Sequence, residues 1–255
     1  MSPGTAVPIE QHNVEIARNL ASWNRKPLLR RVYQEFHRRL AAHIDANLNG
    51  LVVELGSGIG NIRDVIPGCL RTDLFPNPWI DQVENAYRLT FSDQQVSHLI
   101  LFDVFHHLRY PRTALVEFDR VLPPGGRVIV FDPYISLAGR VVYGPLHHEP
   151  IGWSEPITPV APATFDPREQ DYYAAQGNAT RIFWNHEYPA VLDGWEVVAR
   201  EAIGAWPYAL SGGYSKPQVY PTGLYPLLDR LDRFAAAVPK LSALRTLVVL
   251  KKIGR

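Results

Sequence analysis

Residues 51–60, LVVELGSGIG, constrain the fold of this chain more than any other stretch. An apolar run, Leu51, Val52, Val53 and Leu55, carries one acid, Glu54, and breaks into three alternating glycines, Gly56, Gly58 and Gly60. Ile59, Ile62, Val65 and Ile66 resume directly afterwards at helical spacing. The pattern predicts a buried strand, a tight turn and a helix start, which together let backbone approach a nucleotide-like ligand closely. A dinucleotide fingerprint, G-x-G-x-x-G, would need a third glycine at position 61, where this chain has Asn61. That spacing argues against a nicotinamide oxidoreductase.

The remaining segments read as an α/β alternation. Residues 8–47 predict two helices; Pro27 opens the second, in which Leu29, Val32, Tyr33, Phe36, Leu40 and Ile44 recur at three- and four-residue steps. Its other face holds Arg30, Arg31, Arg38 and Arg39, either a solvated face or a docking surface for a phosphorylated or carrier-bound substrate. Past the glycines, Pro67-Gly68 marks a stop and residues 69–74 read as a second short strand ending in Asp73. A carboxylate at that tip can accept both hydroxyls of a ribose. Residues 96–102 and 128–133 are further strands, and Pro111 opens a helix through Leu115, Phe118 and Val121. A formal net charge of +1 gives no overall reason to expect nucleic acid or an anionic membrane. The single cysteine, Cys69, excludes an internal disulfide framework. No apolar run approaches ~18 residues, and the amino terminus lacks a basic patch followed by an apolar core. The expectation is a cytoplasmic protein without a membrane span.

The block FHHLRYPRTALVEFDRVLPPGGRVIVFDP, residues 105–133, together with the pattern E-x-G-x-G-x-G at 54–60, resembles the class I S-adenosylmethionine (SAM) dependent methyltransferases, of the small-molecule, type 11-like kind. The resemblance covers roughly residues 48–133 and implies a Rossmann-like, seven-stranded, mostly parallel sheet of order 3-2-1-4-5-7-6, with N-terminal helices over 1–47 and a methyltransferase domain over 48–255. It implies SAM as cofactor, S-adenosylhomocysteine as product, and a cofactor site formed by Glu54, Gly56, Ser57, Gly58, Gly60, Asp73, Leu74, Asn85, Ala86, Phe102 and Asp103. Two positions depart from the family pattern. Asn85 stands where an acid receives the adenine amino group, although an amide oxygen can also accept it. Ser97-His98 stands where Phe-Asp is usual.

From 134 to about 190 the alternation stops, with six prolines between Pro145 and Pro167 and many aromatics, which predicts a cover over the carboxyl ends of the strands. A second aromatic loop spans about 206–222 and contains Tyr214; Leu224, Leu227, Leu228, Leu231 and Phe234 then predict an amphipathic helix, and 244–250 a final antiparallel strand. His106 and His107 are the candidate catalytic residues, with His107 ahead, as bases for an acceptor hydroxyl or acidic carbon. His147, His148, Glu149 and Tyr214 are candidate substrate contacts; Asp132, Asn178 and Tyr208 are weaker ones. No metal site is expected, because adjacent histidines point apart on an extended chain and no third ligand has recognisable spacing. The expected function is methyl transfer to a small organic acceptor, with homodimerisation open. The alternative is a SAM-binding protein that uses the same pocket for non-methylating chemistry or as a partner module.

Overall fold

The computed structural model describes residues 9–145, 147, 149–168 and 173–254, the side chains of residues 9–11 and 235 excepted. Seven strands form one sheet: β1 (Leu51–Leu55), β2 (Leu70–Asp73), β3 (Gln82–Val83), β4 (Val96–Phe102), β5 (Arg127–Pro133), β6 (Trp195–Ile203) and β7 (Arg245–Lys252). The order is β3-β2-β1-β4-β5-β7-β6, with β7 antiparallel to both β5 and β6 and the other pairs parallel. This is the expected order. β4 is buried at every position, so it reads as a continuous apolar run and not as an alternation.

Period-two geometry divides that run between two cores. Leu99 and Leu101, with Val128 and Val130 of β5, meet helix α3 (Pro111–Val121) through Ala114, Leu115, Phe118 and Val121. Ile100 and Phe102, with Ile129 and Phe131, face the other way, onto the N-terminal helices α1 (Ile9–Arg25) and α2 (Pro27–Ala41). Pro27 sits in the first turn of α2, where its missing N–H costs nothing. The buried residues of α2 are Leu28, Leu29, Val32, Tyr33, Phe36, His37 and Leu40, one stripe at helical spacing. Phe36 packs 4.8 Å from the Phe131 ring and 6.3 Å from that of Phe102. Helices α1 and α2 thus supply a layer of the sheet's own packing. His98, the departure noted in β4, helps hold that layer: its Nε2 accepts from the Asp45 N–H at 2.9 Å, and burial pulls its pKa down to about 4, so the ring stays neutral.

The helix expected after the glycine turn is one 3-10 turn, Asn61–Asp64, because Pro67-Gly68 leaves no room for another. The edge strand β3 is two residues long, Gln82–Val83. The covering segment 134–190 holds two short helices, α4 (Leu137–Tyr143) and α5 (Asn178–Phe183), and the 206–222 loop begins with α6 (Trp206–Leu210). The late amphipathic segment forms α7 (Tyr225–Ala235), followed by α8 (Pro239–Ser242), but Leu227, Leu231 and Phe234 stay exposed while Tyr225 is the buried anchor. The arginine face of α2 is largely consumed: Arg30 donates to the Trp23 and Asn24 carbonyls, Arg31 lies 4.3 Å from the Tyr225 ring centroid, and Arg39 reaches Glu201 at 3.4 Å. Among the described residues no helix is long and apolar enough to cross a membrane.

If α2 is part of the cooperative core, Phe36→Ala should destabilise the protein by about 3–5 kcal/mol, with Arg38→Ala on the same helix within about 0.5 kcal/mol of wild type. Urea melts of both variants check this; equal midpoints would make the N-terminal helices an appendage.

Candidate active site

The site starts at the glycine turn. The Ser57 N–H donates to the Thr72 carbonyl at 2.8 Å, the Gly60 N–H closes the turn on the Ser57 carbonyl at 2.7 Å, and the Thr72 N–H donates to Ser57 Oγ at 3.2 Å. These bonds pin the turn to the end of β2. Gly58 (φ +51°) donates its N–H to Asp73 Oδ2 at 3.0 Å, and a Cβ built on it would meet nothing within 4 Å. Gly56 is required for the opposite reason, since a Cβ there would strike Val104. Beneath the turn, Glu54 is buried and its Oε2 has no hydrogen-bond partner. Burial pushes its pKa up to about 7, with the nearby Asp73 charge adding to the shift.

The turn opens into a cavity of about 850 Å³. Its walls come from separate parts of the chain: α1 (Arg18, Ser22, Arg25), α2 (Tyr33, His37), the β1 turn, the end of β4 with its following turn, the covering segments (Tyr143, Gln176, Tyr208) and Arg245 of β7. At the tip of β4, Asp103 adopts φ +57°, donates its N–H to the Phe131 carbonyl at 2.8 Å and pairs with the buried Arg245 of β7. Phe102 stacks on Tyr33 and Phe131 at 5.3 and 4.8 Å between centroids, so its main contact is with the core.

His106 and His107 follow in a short 3-10 turn, Phe105–His107. His106 is buried, with Nδ1 3.0 Å from Asp132 Oδ1 and Nε2 3.5 Å from Glu149 Oε2. Burial opposes its charged form, but the two carboxylates outweigh burial and push the imidazole up to about 10. His107 keeps 32% of its side chain exposed, donates Nδ1–H to the Tyr173 carbonyl at 2.8 Å, and has Nε2 3.7 Å from Glu149 Oε1. Burial, with the charge on His106 second, pulls its pKa down to about 4, so this ring is neutral. Glu149 thus reaches back from the cover to both histidines and also accepts from Gln176 Nε2.

Of the sequence-predicted residues, the cavity gathers Glu54, Gly56, Ser57, Gly58, Phe102 and Asp103 on one side and His106, His107, His147, Glu149 and Tyr214 on the other. Gly60 shapes the turn from outside the lining, and Asp73 supports it from behind, with Oδ1 3.5 Å from His12 Nε2 of α1. Leu74 and Asn85 line a separate cavity of about 240 Å³ with Glu84, Arg88, Pro167 and Arg168. The Asn85 amide is engaged at both ends, accepting from the Tyr87 N–H at 2.9 Å and donating to the Pro167 carbonyl, and Ala86 packs against the core. Leu74 and Asn85 thus line a cavity other than the large one. His148 lies outside the described residues. The weaker candidate Asn178 is buried and donates to Tyr173 Oη at 3.2 Å. Sequence reading missed Gln176, Arg245, Tyr33 and the α1 wall; nothing in their local spacing signals a site.

A family model described as a methyltransferase domain matches residues 68–130. Among solved structures, a chain from the complex of the Haloferax volcanii Trm112 methyltransferase activator with a methyltransferase aligns with TM-score 0.53 and 18% identity, over 96% of this chain and 97% of that one. The geranyl diphosphate C-methyltransferase of Streptomyces coelicolor, solved with Mg2+, a geranyl thiolodiphosphate and S-adenosylhomocysteine, aligns with TM-score 0.51 and 12% identity, over 86% of this chain and 76% of that one. The fold is that of the class I SAM-dependent methyltransferases. A SAM-dependent methyltransferase of Thermotoga maritima shares it at TM-score 0.51 and 14% identity, covering 93% of this chain and 99% of that one. No curated protein matches the chain. Within this methyltransferase fold the β1 turn and the tip of β4 occupy the carboxyl ends of the central strands, where open α/β sheets take their ligands.

The raised pKa of Glu54 has a consequence for stability. Its folded value lies above the ordinary carboxylate value, so folding favours the neutral form, and stability is lost as pH rises from about 4.5 through about 7. Glu54→Gln should therefore be neutral near pH 5 and stabilise the protein by on the order of 3 kcal/mol at pH 8, read from denaturant midpoints at the two pH values.

Proposed function

We propose that this protein transfers a methyl group from SAM to a small organic acceptor. The observation that carries the reading is that the glycine turn and the His106–His107–Glu149 cluster line one cavity, about 850 Å³, large by the standard of a single-ligand site. The residues fit the cofactor on two counts. Gly58 leaves its Cβ position open toward the cavity, so backbone can approach a ligand there, and Glu54 presents a buried, unpartnered carboxylate oxygen that can accept from a ligand hydroxyl or ammonium. Gly56, Ser57 and Gly58 would hold the cofactor, with Glu54 below and Asp73 bracing the turn.

SAM supplies a methyl group already made electrophilic by its sulfonium, so the protein has to position an acceptor in line and exclude water. In this chain α1 and the covering segments line the cavity, and the aromatic rings of Tyr33, Tyr208 and Tyr214 favour an acceptor that is partly apolar. His106 is charged and held between Asp132 and Glu149, which removes it as a base. His107 is neutral, and with Nδ1–H committed to the Tyr173 carbonyl its Nε2 offers a lone pair to the acceptor's hydroxyl proton. The sequence-based pairing of His107 with base duty is retained on that ground, and Glu149 joins it as an acceptor-side group.

Calorimetric titration with SAM should give saturable binding, and Gly58→Ala should weaken it at least tenfold while costing only about 1–2 kcal/mol of stability from the left-handed backbone. Wild-type protein without affinity for SAM would falsify the reading. His107→Ala should keep SAM affinity and lose methyl transfer in a screen of hydroxyl-bearing metabolites. Tight SAM binding with no methylated product across that screen would favour the alternative of non-methylating chemistry in the same pocket.

A further inference from the structure

We propose that His106, His107 and Glu149 form a binding site for a divalent transition cation of the Zn2+ type, on the acceptor side of the cavity. The site stands on its own donors; only its use in activating an acceptor rests on the methyl-transfer reading above. His106 Nε2 lies 3.5 Å from Glu149 Oε2 and His107 Nε2 lies 3.7 Å from Oε1. The three ligand atoms fall within 4.8 Å of one another. Such gaps are long for hydrogen bonds. They suit donors arranged around one ion, since tetrahedral ligands about 2.1 Å from zinc lie about 3.4 Å apart.

The second nitrogen of each ring is already committed. His106 Nδ1 is 3.0 Å from Asp132 Oδ1, and His107 Nδ1 is 2.8 Å from the Tyr173 carbonyl. Carboxylates and carbonyls accept, so each Nδ1 carries its proton and each Nε2 is the nitrogen left facing Glu149, where a bound cation would take the place of any proton that His106 Nε2 carries. A carboxylate or backbone carbonyl on the remote nitrogen is also the support that metal-binding histidines characteristically carry.

Gln176 supplies a further oxygen. Its Oε1 is buried without a partner, while its Nε2 touches Glu149 Oε2 and lies 3.4 Å from His106 Nε2. A half-turn of the amide, neutral in shape, brings Oε1 to the same centre and ends its isolation. His147 is not counted, because its Nδ1 accepts from the Glu149 N–H at 3.2 Å. Two imidazoles and one carboxylate, reached from the cavity, form a donor set of the kind that catalytic zinc sites use, with a position left for a small molecule. With the ion held, His107 Nε2 becomes a ligand, and a hydroxyl-bearing acceptor that meets the ion is acidified by it.

Zn2+ titrated calorimetrically into chelator-stripped, full-length protein should bind once per chain, and Co2+ should give a visible d–d spectrum. Glu149→Gln and His107→Ala should each weaken Zn2+ binding at least tenfold with SAM affinity held close to wild type, and Asp132→Asn should weaken it by about 10- to 100-fold at a temperature where melting shows the variant folded. No saturable binding by the wild type, or equal binding by Glu149→Gln and His107→Ala, overturns the site. Zn2+ binding retained in a protein that ignores SAM leaves the site standing and overturns the methyl-transfer reading alone.

Discussion

A central parallel strand must be covered on both faces, and the packing of α2 on β4 and β5 is the contact that meets this requirement on one side. The connection from β1 to β2 holds only one 3-10 turn, too little to shield Ile100, Phe102, Ile129 and Phe131. Leu29, Val32, Phe36 and Leu40 of α2 do so instead. Once α2 is seated, α1 is carried over the strand ends. Ser22 Oγ then donates to the Tyr214 carbonyl at 2.7 Å and Lys26 Nζ to the Gly213 carbonyl at 2.6 Å, joining the first helix to the late aromatic loop. The cavity exists because these two distant segments meet above the sheet.

The cover is fastened on its other side by backbone. The Ala175 N–H donates to the His106 carbonyl at 3.0 Å, Gln176 N–H to the Pro150 carbonyl at 3.1 Å and Gly177 N–H to the Ile151 carbonyl at 2.8 Å. Those bonds bring Gln176 and Glu149 over the histidine pair and enclose charged groups where water would otherwise screen them. In such surroundings each charge is decided by its neighbours: His106 is held cationic by two carboxylates, while His107, one residue on, is held neutral by burial and by its charged neighbour. Arg245 and Asp103 form a second enclosed pair at the tip of β4, with the guanidinium 5.0 Å from the Tyr208 ring centroid. The cavity floor is therefore polar and preorganised, and its walls combine the rings of Tyr33, Tyr143, Tyr208 and Tyr214 with the polar side chains of α1.

The individual strands were legible in the sequence because they follow from local signals, apolar runs bounded by glycine and proline and the Gly125-Gly126 return from α3 into β5; their order was what the resemblance to the class I methyltransferases implied. The same locality explains the misreadings. Ile59 to Ile66 carry helical spacing, but spacing alone cannot show that Pro67 ends the helix after one turn. Leu227, Leu231 and Phe234 have the periodicity of a buried stripe, yet periodicity cannot say which face finds a partner, and here Tyr225 is the one enclosed. Asn85 sits where the family pattern puts an adenine contact, and in the folded chain its amide also meets the Tyr87 N–H and the Pro167 carbonyl, contacts that no local spacing announces.

By itself the sequence determined most of the strands, the glycine turn and the histidine pair at the head of the fourth strand, because strand alternation, turn chemistry and signature spacing act over a few residues, while the strand order was implied only through the family resemblance. Only the tertiary structure decided what those groups face. His106 meets Asp132 across 26 positions, Gln176 meets His106 across 70, and Arg245 meets Asp103 across 142. Contacts at such separations are set by how the layers and the cover close, and burial then fixes the charge each side chain carries.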